Sequence, residues 1–185
     1  MITRGVILAG GNSRRMGRDK AQLPTANGTW LETLHERLAA AGLVPAVVGR
    51  RPPPGASWYG IDDDHPGHGP LGGLATALRT FDEECLVCAV DMPLLSLAAL
   101  QWLVHLPGEP HGIVPRSAHG LEPCFARYTP ALLPAINTAL ANGQRSLQRL
   151  AADESVTVID LPDRFRKEVT NINTPEELAT IGTLP

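Results

Sequence analysis

Gly5-Val6-Ile7-Leu8-Ala9-Gly10-Gly11-Asn12-Ser13-Arg14-Arg15-Met16-Gly17-Arg18-Asp19-Lys20 is the stretch that decides the fold. Its first part, a short β-branched apolar run, predicts a buried strand. The run stops at Gly10-Gly11, where the absence of Cβ atoms lets a ligand come close to the backbone. Successive N–H groups in such a turn form an anion-binding nest. Arg14, Arg15, Arg18 and Lys20 follow at once. That density of cations suits a loop that wraps a triphosphate better than a neutral turn. The loop is neither of two familiar phosphate motifs. No Lys-Ser or Lys-Thr pair completes a G-x-x-x-x-G-K-[ST], and adjacent glycines replace the G-x-G-x-x-G spacing of a dinucleotide fingerprint.

The chain around it has 185 residues, 43% of them hydrophobic and 19% charged, which predicts one globular domain with a sizeable core. A net charge of −3 argues against a nucleic-acid binder, so the basic loop is a local feature. No stretch approaches the roughly 20 apolar residues of a membrane span, and the N-terminal apolar run is too short for a signal peptide. The three cysteines cannot all pair within one chain. Cys85 and Cys88 sit three apart in an apolar run that reads as a strand, so they point to opposite faces and not at a shared metal or disulfide. Buried thiols in a reducing cytoplasm fit that usage. A cytoplasmic protein, with no membrane and no nucleic-acid partner, is expected.

Downstream, Thr29 with Glu32 forms a capping-box pattern for a helix from about Trp30 to Ala41, ended by Gly42, and Val44 to Val48 reads as a second strand. Strand, helix, strand at this spacing is a βαβ unit with parallel strands. Arg50-Arg51-Pro52-Pro53-Pro54-Gly55 reads as a stiff connection without a role. A helix is expected from about Leu71 to Thr80, and Cys85 to Val90 has the unbroken apolar character of a central parallel strand. It runs into Asp91, beyond a strand's carboxyl end, where open α/β sheets bind ligands. A carboxylate there suits Mg²⁺, which takes hard oxygen ligands; the competing role, capping the next helix, suits Ser96 better. Further strands are expected at His111–Pro115 and Val156–Leu161, and helices over Pro130–Asn142, Gln144–Leu150 and after Thr174. Arg145 and Arg149 read equally as a solvated face or as attraction for an anionic acceptor. In an extended tail Asn171 and Asn173 face the same way, offering two carboxamides to a polar ligand. His65 and His68 read as a solvated loop in preference to metal ligands. The fold class predicted is α/β: a three-layer sandwich around a mostly parallel sheet.

Four segments carry a family resemblance. Leu8 to Lys20 has the form L-A-G-G-x-S-x-R-M-G-x-D-K, Asp63 to Gly73 the form D-x-x-P-G-x-G-P-L-x-G, Asp91 to Pro93 the form D-x-P, and Asn171 to Leu178 the form N-x-N-T-P-E-x-L. Together they resemble the MobA-like nucleotidyltransferases, the family of molybdenum cofactor guanylyltransferase. The resemblance implies a Rossmann-like nucleotidyltransferase fold in one domain over 1–185, with a nucleotide half at about 1–104 and an acceptor half at about 105–185. It implies Mg²⁺-dependent transfer of GMP from GTP to molybdopterin or molybdenum cofactor, with release of pyrophosphate. Leu8, Ala9, Gly10, Gly11 and Asp63 (in preference to Asp62) would bind the nucleotide. Arg15 and Lys20 would neutralise its phosphates, Asp91 would hold the metal, and Asn171 and Asn173 would face the acceptor. Other proteins of cofactor biosynthesis, or the target enzymes, would be partners. Glu122-Pro123 keeps the family's shape there, but the glutamate departs from its usual polar residue and leaves the role of Glu122 open.

Alternatives remain at this level. A cytidylyltransferase of the same cofactor, or an enzyme acting on a sugar phosphate or phospholactate, would share the loop and the D-x-P. A nucleotide-binding module without turnover would not need both Lys20 and Asp91.

Overall fold

The computed structural model describes residues 2–10, 19–26 and 28–181. The strands are β1 (Arg4–Leu8), β2 (Pro24–Thr25), β3 (Gly28–Thr29), β4 (Val44–Val48), β5 (Gly60–Ile61), β6 (Cys85–Ala89), β7 (Gly112–Ser117), β8 (Gly120–Leu121), β9 (Phe125–Tyr128) and β10 (Thr157–Asp160). The α-helices are α1 (Trp30–Ala40), α2 (Gly69–Phe81), α3 (Leu97–Val104), α4 (Leu133–Ala141), α5 (Leu147–Ala151) and α6 (Pro175–Ile181).

Among the described residues, β2 and β3 pair as a small ribbon, and the other strands form an 8-stranded sheet in the order β10-β7-β9-β6-β1-β4-β5, with β8 beside β7. β1 runs parallel to both β4 and β6, as the βαβ reading requires. β9 is antiparallel to β6 and to β7, so β9 and the short β8 alone oppose the common direction in this sheet. The chain leaves β1 toward β4 through α1 and returns to the other side of β1 through α2. Right-handed crossovers taken in opposite directions place their helices on opposite faces.

The core confirms that layering. On one face Ile7, Leu86 and Cys88 pack with Leu34 and Leu38 of α1 and Leu100 and Leu103 of α3. On the other Val6, Leu8, Cys85 and Val87 pack with Leu74 and Leu78 of α2 and Ile136 of α4. Alternate residues of β1 and β6 thus feed two cores, each made of fully apolar layers whose burial stabilises by about 1.5–3 kcal/mol per large side chain. Cys85 and Cys88 fall on opposite faces, so the C-x-x-C is two separate core thiols.

Local signals set most boundaries. Thr29 and Glu32 make the reciprocal capping box that starts α1, and Gly42 takes φ +87° just after it ends. The helix expected over Pro130–Asn142 is two pieces, a 3₁₀ turn at Pro130–Leu132 and then α4, because Pro134 at the first turn lacks the N–H needed to continue one ladder. The helix expected from Gln144 begins at Leu147, where the Ser146 hydroxyl accepts the Gln148 N–H. No helix among the described residues is long and apolar enough to cross a membrane.

Candidate nucleotide site at the carboxyl edge of the sheet

Register aligns Leu8 with Val48 on one side and Ala89 on the other, so β1, β4 and β6 end level. Their exits line a cleft of about 680 Å³ together with the start of α2. Ala9 and Gly10 leave β1 along its floor; the Ala9 N–H donates to the Val48 carbonyl (3.1 Å). Gly10 then passes so close to Gly49 that a Cβ on Gly49 would lie 2.9 Å from the Gly10 Cα, and Gly49 itself holds φ +82°. A side chain at Gly49 would close this contact, so the sequence places backbone there on both sides. Gly11 and Arg15, like Arg14 and Arg18, lie outside the described residues.

The reactive side chains converge from three distant segments. Asp19 caps a 3₁₀ turn at Lys20–Gln22 by accepting the Ala21 N–H, and this turn carries Lys20 into the cleft. The Lys20 ammonium donates to Asp91 Oδ2 at 3.1 Å and to Asn173 Oδ1 at 2.7 Å. Asp91 stands two residues past β6 and is itself stitched to the tail, because the Ile172 N–H donates to the Asp91 carbonyl (2.9 Å). Asn171 and Asn173 flank that bond; Asn171 lines the cleft and Asn173 holds Lys20. Asp91 does not cap α3, since the Ser96 hydroxyl accepts the Ala99 N–H at its start. Thr174 and Glu177 cap α6 reciprocally, and Glu177 also accepts the Asn173 N–H at 2.6 Å, so helix punctuation and site placement are one device.

On the opposite wall Asp63 Oδ1 accepts the His65 N–H (2.9 Å) and the Thr76 hydroxyl (3.1 Å), and Oδ2 faces Gly10. Asp62 is outside the cleft, where it meets exposed Arg51 through two hydrogen bonds. The register is therefore Asp63 in and Asp62 out. The first turn of α2 closes this wall. Its glycines permit the packing: a Cβ on Gly73 would come to 3.0 Å from Leu8 Cδ2, and one on Gly72 to 2.8 Å from the His65 carbonyl. A helix N-terminus favours negative charge, as does a ring of backbone donors.

Arg79 Nη1 meets His65 Nε2 at 2.7 Å, and no group of three metal-ligating side chains occurs among the described residues. Arg145 and Arg149 separate: Arg145 lines the cleft, with its carbonyl beside the α2 N-terminus, whereas Arg149 is exposed on α5. Glu122 does not line the cleft, but Cys124 does. Burial, with help from Asp91 and Glu122, pushes the Cys124 thiol up to about 12, so it is a neutral wall residue and no nucleophile.

Three contributors were not visible in the sequence. Arg37 of α1 donates to the Pro93 and Leu95 carbonyls, both 2.9 Å, and props the segment after Asp91; burial lowers its pKa. Gly49 had only its place at a strand end to mark it. Arg50, read as part of a connection without a role, pairs with Asp19 at 2.7 Å at the cleft edge.

Comparison with known proteins agrees with this geometry. Residues 5–158 match the family model of the MobA-like NTP transferase domain. The chain is 38% identical over 178 residues to a molybdenum cofactor guanylyltransferase of Xanthomonas euvesicatoria, covering 94% of this chain and 90% of that one. It is 36% identical over 184 residues to a "Probable molybdenum cofactor guanylyltransferase" of Opitutus terrae, covering 94% and 91%. In fold it is similar to molybdopterin-guanine dinucleotide biosynthesis protein A of Archaeoglobus fulgidus, with a TM-score of 0.78 at 23% identity and 96% of each chain covered. By sequence match, sheet order and the level strand ends that form its cleft, the chain belongs to the MobA-like NTP transferase family.

Proposed function

We propose that this protein transfers GMP from GTP to the terminal phosphate of molybdopterin or molybdenum cofactor, releasing pyrophosphate and forming the guanine dinucleotide. The observation that carries the reading is the meeting of Lys20, Asp91 and Asn173, which ties the glycine-rich loop, the D-x-P carboxylate and the C-terminal N-x-N into one site. An oxygen of the acceptor phosphate attacks the α-phosphorus of GTP. The bond from that phosphorus to the bridging oxygen breaks, and pyrophosphate leaves with the electron pair. Such a reaction needs alignment and charge neutralisation and no covalent intermediate on the protein.

Each residue then has a role. Leu8, Ala9, Gly10 and Gly11 would support the nucleotide, with Asp63 on its far wall. Lys20, joined by Arg15, would neutralise charge on the phosphates. Asn171 and Asn173 would face the acceptor, and cleft-lining Arg145 supplies a cation for an anionic group there. Asp91 suits a Mg²⁺ that arrives with the nucleotide. Lys20 takes Oδ2, and Mg²⁺ is usually held by one or two carboxylates together with substrate phosphates and waters. Bound there, the ion would stabilise charge on the transferring phosphoryl group.

The test supplies molybdopterin-type cofactor with each of GTP, CTP, ATP and UTP and follows pyrophosphate and dinucleotide. Product with GTP in strong preference is expected. Preference for CTP would make the protein a cytidylyltransferase, and release only with a sugar phosphate would move the acceptor.

A further inference from the structure

Between Asn171 and Asn173 stands Ile172, which is 2% exposed. From Thr170 to Thr180 it alone is buried. The tail that carries both asparagines is therefore held by few ties. They are the Ile172 side chain, the bond from its N–H to the Asp91 carbonyl (2.9 Å) and the contact of Lys20 with Asn173, with half-buried Leu178 of α6 packed alongside.

Ile172 packs with Leu23 and Trp30, and partly buried Leu94 and Leu178 close the cluster. This cluster is separate from the two cores that flank the sheet, and none of its members lines the cleft. Each segment of the site nevertheless sends one side chain into it. Leu23 closes the 3₁₀ turn of Lys20, its N–H donating to the Lys20 carbonyl (3.1 Å). Leu94 follows shortly after Asp91, and Ile172 separates the asparagines. Trp30 opens α1, and its N–H donates to the Leu23 carbonyl (2.9 Å). Because α1 is fixed to the sheet through Leu34 and Leu38, Trp30 is the rigid seat on which the three segments meet. The indole Nε1 has no acceptor among the described residues, so Trp30 serves there by its apolar bulk.

We propose that Ile172, seated on Trp30, is a positioning residue of the transfer reaction. It sets Asn171 and Asn173 against Lys20 and Asp91, and so fixes where the acceptor phosphate lies. Transfer depends on such alignment, and a misplacement of about 1 Å costs on the order of a hundredfold in rate. The nucleotide's floor at Gly10 and Gly49 and its wall at Asp63 lie outside this cluster. The inference rests on the GMP-transfer reading for the identity of the acceptor.

The experiment compares wild type, Ile172→Ala, Ile172→Val and Trp30→Leu in the full chain. Equilibrium binding of GTP with Mg²⁺, and initial rates against molybdopterin-type cofactor, separate the two substrates. Amide hydrogen exchange without ligand reports the placement of the tail. Ile172→Ala is expected to lower kcat/KM for the acceptor by about ten- to a hundred-fold and to keep the GTP dissociation constant. It should also lose exchange protection at position 172 while β1 and β6 stay protected. Ile172→Val keeps the branched contact and should recover most of the loss. Trp30→Leu should reproduce the split between acceptor and nucleotide, although Trp30 does not line the cleft. Loss of GTP affinity in step with acceptor turnover, as a merely destabilised chain would show, overturns the proposal. Wild-type turnover in Ile172→Ala overturns it too. If the wild type forms no dinucleotide from GTP, the GMP-transfer reading falls, and the exchange data alone then decide: protection retained at position 172 in Ile172→Ala refutes the positioning role, and protection lost supports it.

Discussion

Lys20 Nζ lies 3.1 Å from Asp91 Oδ2, although 71 residues separate the two in sequence. The pair is only partly screened, with side-chain exposures of 11% and 23%. It joins the cation at the end of the glycine-rich loop to the carboxylate at the end of β6. A charge-matched pair at a cleft wall is ready to be opened by a ligand that brings both a cation and phosphate oxygens.

Lys20→Ala is therefore expected to slow transfer by about 10²–10³ at saturating nucleotide, the loss typical of removing one group aimed at developing charge. Single-turnover rates measure it, with circular dichroism to verify the fold. Near wild-type turnover would remove Lys20 from the chemistry.

Asp91→Asn is expected to lower turnover and raise the Mg²⁺ concentration needed for half-maximal rate, with little change in Tm, because Ser96 and not Asp91 caps α3. Ser96→Ala is the counterpart: it should cost about 1 kcal/mol of stability and leave the Mg²⁺ dependence unchanged. Metal titrations and denaturant curves on the two variants should give opposite patterns.

The elements visible in the sequence are those whose signals are local. The apolar runs of β1, β4 and β6, the Thr29–Glu32 box and the Thr174–Glu177 box each need only a few adjacent residues, and all were placed as expected. Asp91, Asn171 and Asn173 were legible as members of motifs, but the meeting of Asp91 and Asn173 with Lys20 was not, since it depends on the order in which β6 and the tail pass the β1 exit. The antiparallel direction of β9 is set by its neighbours and left no local mark. Arg37 and Arg50 look like surface arginines in sequence; only tertiary packing turns one toward the carbonyls after Asp91 and the other toward Asp19.

Arg127 anchors the second half of the sheet. Its side chain is 2% exposed and donates to both oxygens of Glu84 and to the Leu103 and Leu106 carbonyls. Arg127→Ala removes four hydrogen bonds and leaves a partly buried carboxylate, so a loss of about 3 kcal/mol is expected. Urea denaturation measures it, and a loss under 1 kcal/mol would contradict this packing account.

The thiols give a pH prediction. Burial pushes Cys85 and Cys124 up to about 12, against about 8.5 in an unfolded chain. Between those values the folded state keeps protons that the unfolded state has released, so stability falls as pH rises through that window. Below about pH 7 the thiols contribute almost no slope. Denaturation from pH 7 to 11 should show the decline, and Cys124→Ala should flatten part of it. Alkylation of the native protein at pH 8 should be slow at both residues and become fast in denaturant.

The most direct measurement of the central claim is the fate of the phosphates. GTP labelled at the α position, and separately at the γ position, is incubated with the protein, Mg²⁺ and molybdopterin-type cofactor, and the products are separated. The account predicts α label in the dinucleotide and γ label in pyrophosphate, both formed about 10²–10³ more slowly in Lys20→Ala. The γ label on the acceptor, or α label remaining in a free guanosine nucleotide while pyrophosphate is released, would contradict it.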